Sequence, residues 1–260
     1  MIKDYHLHPQ IVQNEKNFDL FVQKALDKGI EEVCITDHMP LIGSAVSDRI
    51  PCGRVEEYCF KAQKIQEKYR GTISVKVGIE IDYHPTIINQ IEAVLKCGSF
   101  DYILGSSHLH AIGELDIWNK SKTRNNYAKF MLENTVSAAK SGYFNAIAHI
   151  DMYHWIFSNP LRFTLEDDSF AEDRHISLIN DALDAIKKNN LYLEINPHFA
   201  ASLKNVQSTY PSVGIVTLAL EKGIKFSYGS DAHTAESVGE MLTDLRNHNI
   251  YGQALSTWES

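Results

Sequence analysis

Cysteine is scarce and unpatterned: there are four, Cys34, Cys52, Cys59 and Cys97, and no two form a C-x-x-C pair. That spacing excludes a disulfide scaffold and supplies no thiolate zinc site, so four free thiols in a reducing compartment are expected. Basic charge is also short, with 25 Lys and Arg against 33 Asp and Glu and a formal charge of −8. Broad binding to nucleic acid or to an anionic membrane draws on clustered Lys and Arg, so neither partner is expected; a small anion held by metal ions is still allowed. No uninterrupted apolar run approaches the roughly 20 residues that cross a bilayer. The opening Met1-Ile2-Lys3-Asp4 is not the basic-then-apolar pattern of an export signal, and the expected location is the cytoplasm. Also missing after the first strand is a G-x-G-x-x-G or Walker loop, the phosphate cradle of nucleotide-binding open sheets.

What the chain does have is alternation. Apolar runs of strand type fall at 2–8, 32–36, 73–81, 102–107, 146–149, 191–196 and 225–230. Helical patterns separate them at 18–29, 55–69, 85–96, 125–141, 170–188, 211–222 and 237–247, with Gly29 and Gly142 as stops. Seven such units predict a parallel sheet with right-handed crossovers, and 260 residues with 44% hydrophobic content suit a single domain, 1–260. The stretch 151–168 lacks periodicity and carries Trp155, Phe157, Arg162 and Phe163, which marks it as a candidate substrate lid. Arg162 is the arginine best placed there to clamp a phosphate, because a guanidinium matches phosphate oxygens in pairs.

The strand ends are chemically biased. In Lys3-Asp4-Tyr5-His6-Leu7-His8, residues two apart share a face, so His6 and His8 present two imidazoles to one point. His38, Glu80, His108, His149, Asp231 and His233 stand at or near the ends of five later strands. In a closed barrel all carboxyl ends face one mouth and these groups converge, whereas an open sheet would hold the outermost apart; an α/β barrel is therefore the predicted fold. Imidazole nitrogen and carboxylate oxygen suit zinc, manganese or iron, and eight such groups exceed the three protein ligands of one catalytic zinc. Two or three divalent ions are expected, with a hydroxide formed from metal-bound water as nucleophile.

The ordered series H-L-H, T-D-H, G-I-E, S-S-H, A-H-I-D and S-D-A-H resembles the polymerase-and-histidinol-phosphatase (PHP) superfamily over nearly the whole chain. The contexts G-I-E-I-D-Y and G-Y-F-N-A-I-A-H-I-D are similar to its histidinol-phosphate phosphatase branch. The resemblance implies a distorted seven-stranded TIM-like barrel with a trinuclear centre. It implies that His6, His8, Glu80 and Asp231 hold one metal, that Glu80 with His108 and His149 holds a second, and that His38 and His233 serve a third. The implied activity is phosphomonoester hydrolysis, with L-histidinol phosphate as substrate and histidine biosynthesis as the pathway. Asp231, His233 and His38 are the candidates for moving protons, and Arg162, His110 and His198 for contacting substrate. The sequence departs from the family pattern at Asn14, where many members have a histidine, and at Pro197-His198-Phe199-Ala200-Ala201-Ser202-Leu203-Lys204, where members often carry an arginine. Two alternatives follow: a different ester, such as a nucleotide or sugar phosphate, or a metal-binding barrel without turnover.

Overall fold

A computed structural model of the chain describes residues 1–42, 48–158 and 171–259. Seven parallel strands run in sequence order: β1 (Lys3–Leu7), β2 (Glu32–Ile35), β3 (Ser74–Asp82), β4 (Tyr102–Ser106), β5 (Ala146–Ile147), β6 (Tyr192–Ile195) and β7 (Lys225–Tyr228). Each strand pairs with the next, with Val33 opposite Val75, Glu80 opposite Leu104, Ala146 opposite Tyr192 and Glu194 opposite Ser227. The ring is nearly closed. At its upper rim Leu7 bridges to Ala232, where His8 N donates to Ala232 O at 2.8 Å. Lower down, the buried Asp4 carboxylate accepts from Ser230 N at 2.9 Å and Gly239 N at 3.0 Å, which ties β1 to the chain beyond β7.

The two faces of each strand do different work. Val75, Val77, Ile79 and Ile81 are buried towards the helices, while Gly78, Glu80 and Asp82 alternate with them and face inward. A small inner cluster of Cys34, Tyr102, Leu104, Ala146 and Ala148 fills the barrel below its mouth, and Tyr5 packs edge-on against Tyr102 with ring centroids 4.9 Å apart. A register shift on β1 between Asp4 and Leu7 follows. An irregularity of this kind re-aims side chains, and beyond it His6 and His8 both turn inward. Gly229 admits no side chain, because a Cβ there would collide with Glu194 Oε1 and His6 Cβ.

The outer helices form where the apolar spacing placed them. Phe18, Phe21, Val22 and Ala25 of the helix Asn17–Asp27 are buried at helical intervals, and Gly29 ends that element with φ 68°. Four expectations change. The aperiodic stretch contains a helix at Tyr153–Ser158, built on buried Tyr153 and Ile156, which is too short to show a period. The helix read as 170–188 is regular only over Ile176–Lys188, after a tight turn at Glu172–His175. The helix read as 237–247 is confined to Leu242–Asn247, since Gly239 and Met241 both take positive φ. A final helix, Asn249–Glu259, was not anticipated; its Trp258 packs edge-on against Tyr5, with centroids 4.8 Å apart at the foot of the barrel. Among the described residues no helix is long and apolar enough to cross a membrane.

Candidate metal centre

Glu80 is the residue around which the mouth is built. It is wholly buried, and its Oε2 lies 2.7 Å from His38 Nδ1, 3.2 Å from His6 Nε2 and 3.4 Å from His8 Nε2. Its Oε1 lies 3.3 Å from His149 Nε2 and 3.8 Å from His108 Nδ1. One carboxylate thus meets five imidazoles brought by four different strand ends. Asp231, after β7, approaches from the opposite side, with Oδ1 at 3.1 Å from His8 Nε2, 3.6 Å from His6 Nε2 and 3.6 Å from His233 Nδ1. Asp231 holds this place with φ 55° and His149 with φ 21°, left-handed values that cost a non-glycine residue about 1–3 kcal/mol. That cost falls on two of the residues that face Glu80 and His6.

The donor set fits divalent cations. His6 Nε2, both ring nitrogens of His8, His38 Nδ1 and both Glu80 oxygens are buried with no hydrogen-bond partner. Each unmet buried polar atom costs about 1–3 kcal/mol, and a cluster of them is unfavourable unless something electrophilic sits between them. Tetrahedral ligand atoms about 2.1 Å from an ion stand about 3.4 Å from one another. The separations from His6 Nε2 and His8 Nε2 to Glu80 and Asp231 are 3.1–3.6 Å. Three overlapping groups, His6 with His8 and Glu80, Glu80 with His108 and His149, and His8 with His38 and His233, each bring their ligand atoms within 4.8 Å.

A surrounding layer aims these ligands. Glu194 Oε1 sits 2.6 Å from His6 Nδ1 and its Oε2 accepts from His149 N and from Asn196 Nδ2, both at 3.1 Å. Asn196 Nδ2 also reaches Asp231 Oδ2 at 3.2 Å. Asp82 Oδ1 meets His108 Nδ1 at 2.8 Å, and the other Asp82 oxygen is paired with the buried Arg49. A carboxylate on one ring nitrogen fixes the tautomer and leaves the other nitrogen's lone pair free for an ion. Glu194, Asn196, Asp82 and Arg49 received no role from the sequence. Period two carries the signal for three of them, since Asp82 lies on the face of Glu80 and Glu194 and Asn196 share a face of β6.

The electrostatics follow from burial and mutual charge. Burial opposes charge on His6, yet the carboxylates of Glu194, Asp231 and Glu80 outweigh it and hold the imidazole well above its ordinary range. Burial and the neighbouring His38 and His233 push His8 well below. Burial would raise Glu80, but His38, His6 and His108 hold it well below the usual carboxylate range. Asp231 is likewise held low against burial, by His6 and His8. A cation on His6 Nε2 has to displace the proton that this upward shift favours on the metal-free ring. Zinc titration in buffers of different ionisation heat is expected to show net proton release at pH 7, with affinity weakening towards pH 5; uptake of protons would contradict the assignment.

The residues expected at the site are placed as follows. His6, His8, His38, Glu80, His108, His149, Asp231 and His233 come together at the mouth. His110 and His198 line a cavity of about 350 Å³ beside that cluster, together with Trp155, Phe199, Tyr210 and Arg49. Burial, with His108 next to it, pushes His110 down to about 3, so its imidazole is neutral. Arg162 and most of the candidate lid lie outside the described residues.

Fold and ligand set together define a metal-binding α/β barrel with its site at the carboxyl ends of the strands. The PHP domain model matches residues 4–198, and the chain belongs to that family. It is 31% identical over 248 residues to a Deinococcus radiodurans protein named "Probable histidinol-phosphatase", covering 93% of this chain and 90% of that one. It is 25% identical over 273 residues to the histidinol-phosphatase of Bacillus subtilis, covering 91% and 95%. Among solved structures, the histidinol phosphate phosphatase of Lactococcus lactis, crystallised with zinc, L-histidinol and phosphate, superposes with TM-score 0.75 at 19% identity over 97% of this chain and 93% of that one. That superposition carries the fold.

Proposed function

We propose that this chain, as one PHP-type domain over residues 1–260, is a metal-dependent phosphomonoesterase that hydrolyses L-histidinol phosphate to L-histidinol and phosphate in the cytoplasm. The observation that carries the reading is the convergence of five imidazoles and Asp231 around the Glu80 carboxylate beside a cavity of about 350 Å³. We assign His6, His8, Glu80 and Asp231 to one ion, Glu80, His108 and His149 to a second, and His38 with His233 to a third. Divalent ions bound there supply an acidified water and neutralise charge on the phosphoryl oxygens. Asp231 serves as a ligand instead of a proton donor, because His6 and His8 keep its carboxylate ionised. Glu194 and Asn196 hold His6 and Asp231 in place, so the geometry is set before substrate arrives.

The chain's own residues also shape the substrate end. Arg49 is buried at the cavity wall with its Nε without a hydrogen-bond partner, a cation positioned to meet an anionic ester. Phe199 and Tyr210 stack with centroids 5.9 Å apart and an interplanar angle of 8°, and with Trp155 they offer a flat apolar wall suited to an imidazole ring. His110 and His198 line the same cavity and are assigned to the leaving group or the amine.

The test is phosphate release by the purified chain supplied with zinc or manganese. L-histidinol phosphate is expected to be turned over faster than nucleoside monophosphates and sugar phosphates. A preference for one of those esters would replace the substrate, and no release from any ester would leave a metal-binding barrel without turnover.

A further inference from the structure

Asp48 belongs to none of the groups assigned above. It lies just after the undescribed residues 43–47, on a segment pinned beside the site: Ile50 N donates to His38 O at 2.9 Å, His38 and Arg49 form a parallel bridge, and Gln13 Nε2 donates to Arg49 O at 2.9 Å. Its Oδ2 lies 3.5 Å from His233 Nε2, and its Oδ1 is buried with no hydrogen-bond partner. His233 Nδ1 is 3.0 Å from the Asp231 carbonyl oxygen, which can only accept, so Nδ1 carries the hydrogen and a neutral ring keeps its lone pair on Nε2. Once Nε2 gives up any proton it shares with Asp48, two lone-pair donors face each other near ligand-to-ligand distance. The rings of His8 and His38 stack with centroids 4.2 Å apart, and His233 lies 4.4 Å from His8, so one wall of imidazoles closes the same space.

We infer that Asp48 is a metal ligand of this chain, completing with His38 and His233 the third site, for a borderline divalent cation such as zinc or manganese. The donors are two imidazole nitrogens and a carboxylate oxygen, the mixture such ions take. Asn14, in contrast, is exposed in the turn after β1, its backbone N bonded to Gln10 O at 3.0 Å, and supplies nothing to the site. The competing account is a plain ion pair between Asp48 and protonated His233, and the two differ in what a histidine at position 48 would do.

The inference rests on the reading of the mouth as a metal centre, and its test counts ions. The full chain is stripped, refilled with zinc alone and weighed by native mass spectrometry, with circular dichroism confirming that each variant is folded. Wild type is expected to hold three zinc ions. Asp48→Asn is expected to hold two, the weakest binding step losing at least about tenfold in affinity. Asp48→His, which abolishes an ion pair but keeps a ligand, is expected to recover the third. Three ions in Asp48→Asn at unchanged affinity, two in wild type, or loss of the third ion in both variants would each overturn the inference. Phosphate release from L-histidinol phosphate, measured alongside, separates the two readings: turnover with two ions defeats the third site alone, and three ions without turnover defeats the phosphatase alone.

Discussion

Replacing Glu80 by Gln is expected to remove phosphatase activity by at least about 10³-fold while the barrel still folds. Among the described residues Glu80 is the only carboxylate in contact with both His6 and His8 on one oxygen and His108 and His149 on the other. A neutral amide of the same size keeps the volume but removes the charge, and its NH2 group points a donor at imidazoles that must accept an ion. Charge stabilisation by bound cations is worth several kcal/mol in a hydrolytic transition state, and each 1.36 kcal/mol is a factor of ten. Bound zinc should fall by two ions per chain in the same preparation. Full metal content with wild-type turnover in Glu80→Gln would remove Glu80 from the centre of the site.

Stripping the metal from the wild-type protein is expected to lower its melting temperature by roughly 8–16 °C. Without cations, the mouth keeps buried His6, His8, His38 and Glu80 atoms that find no hydrogen-bond partner. A ligand present at about a thousand times its dissociation constant adds roughly 4 kcal/mol to the folded state. For a chain of this size 1 kcal/mol moves the midpoint by about 2–4 °C. Calorimetry before chelation, after chelation and after zinc is restored checks this, and activity should disappear and return with the midpoint. An unchanged midpoint would mean that the cluster is satisfied without ions.

How much of this was legible along the chain depends on the range over which each signal acts. Period two on β1 and β3 and period 3.6 on the outer helices are local, and they identify the strands, the helices and the inward face that carries Glu80. A strand of two residues, Ala146–Ile147, still stands out because Ala-Ile-Ala-His ends on a ligand-type side chain. The helix Tyr153–Ser158 and the final helix were not legible, the first because six residues complete under two turns and the second because its anchoring contact is with Tyr5 at the other end of the chain. Asp48 and Arg49 fall between Pro40 and Pro51 in the sequence, where no period marks which side chain faces inward.

By itself the order of residues determined that seven βα units would form, that histidines and carboxylates would stand at their carboxyl ends, and that such donors call for divalent ions. Those are consequences of backbone geometry and of ligand chemistry, both written in neighbouring residues. Tertiary structure alone decided that Glu80 lies between two sets of imidazoles, that Glu194 and Asp82 orient the rings, and that Asp48 comes to face His233. Coordination depends on angles and on differences of a few tenths of an ångström, and the barrel that fixes them is held by atoms as distant in sequence as Asp4 and Gly239, 235 residues apart. Only the closing of the barrel brings such atoms to those distances.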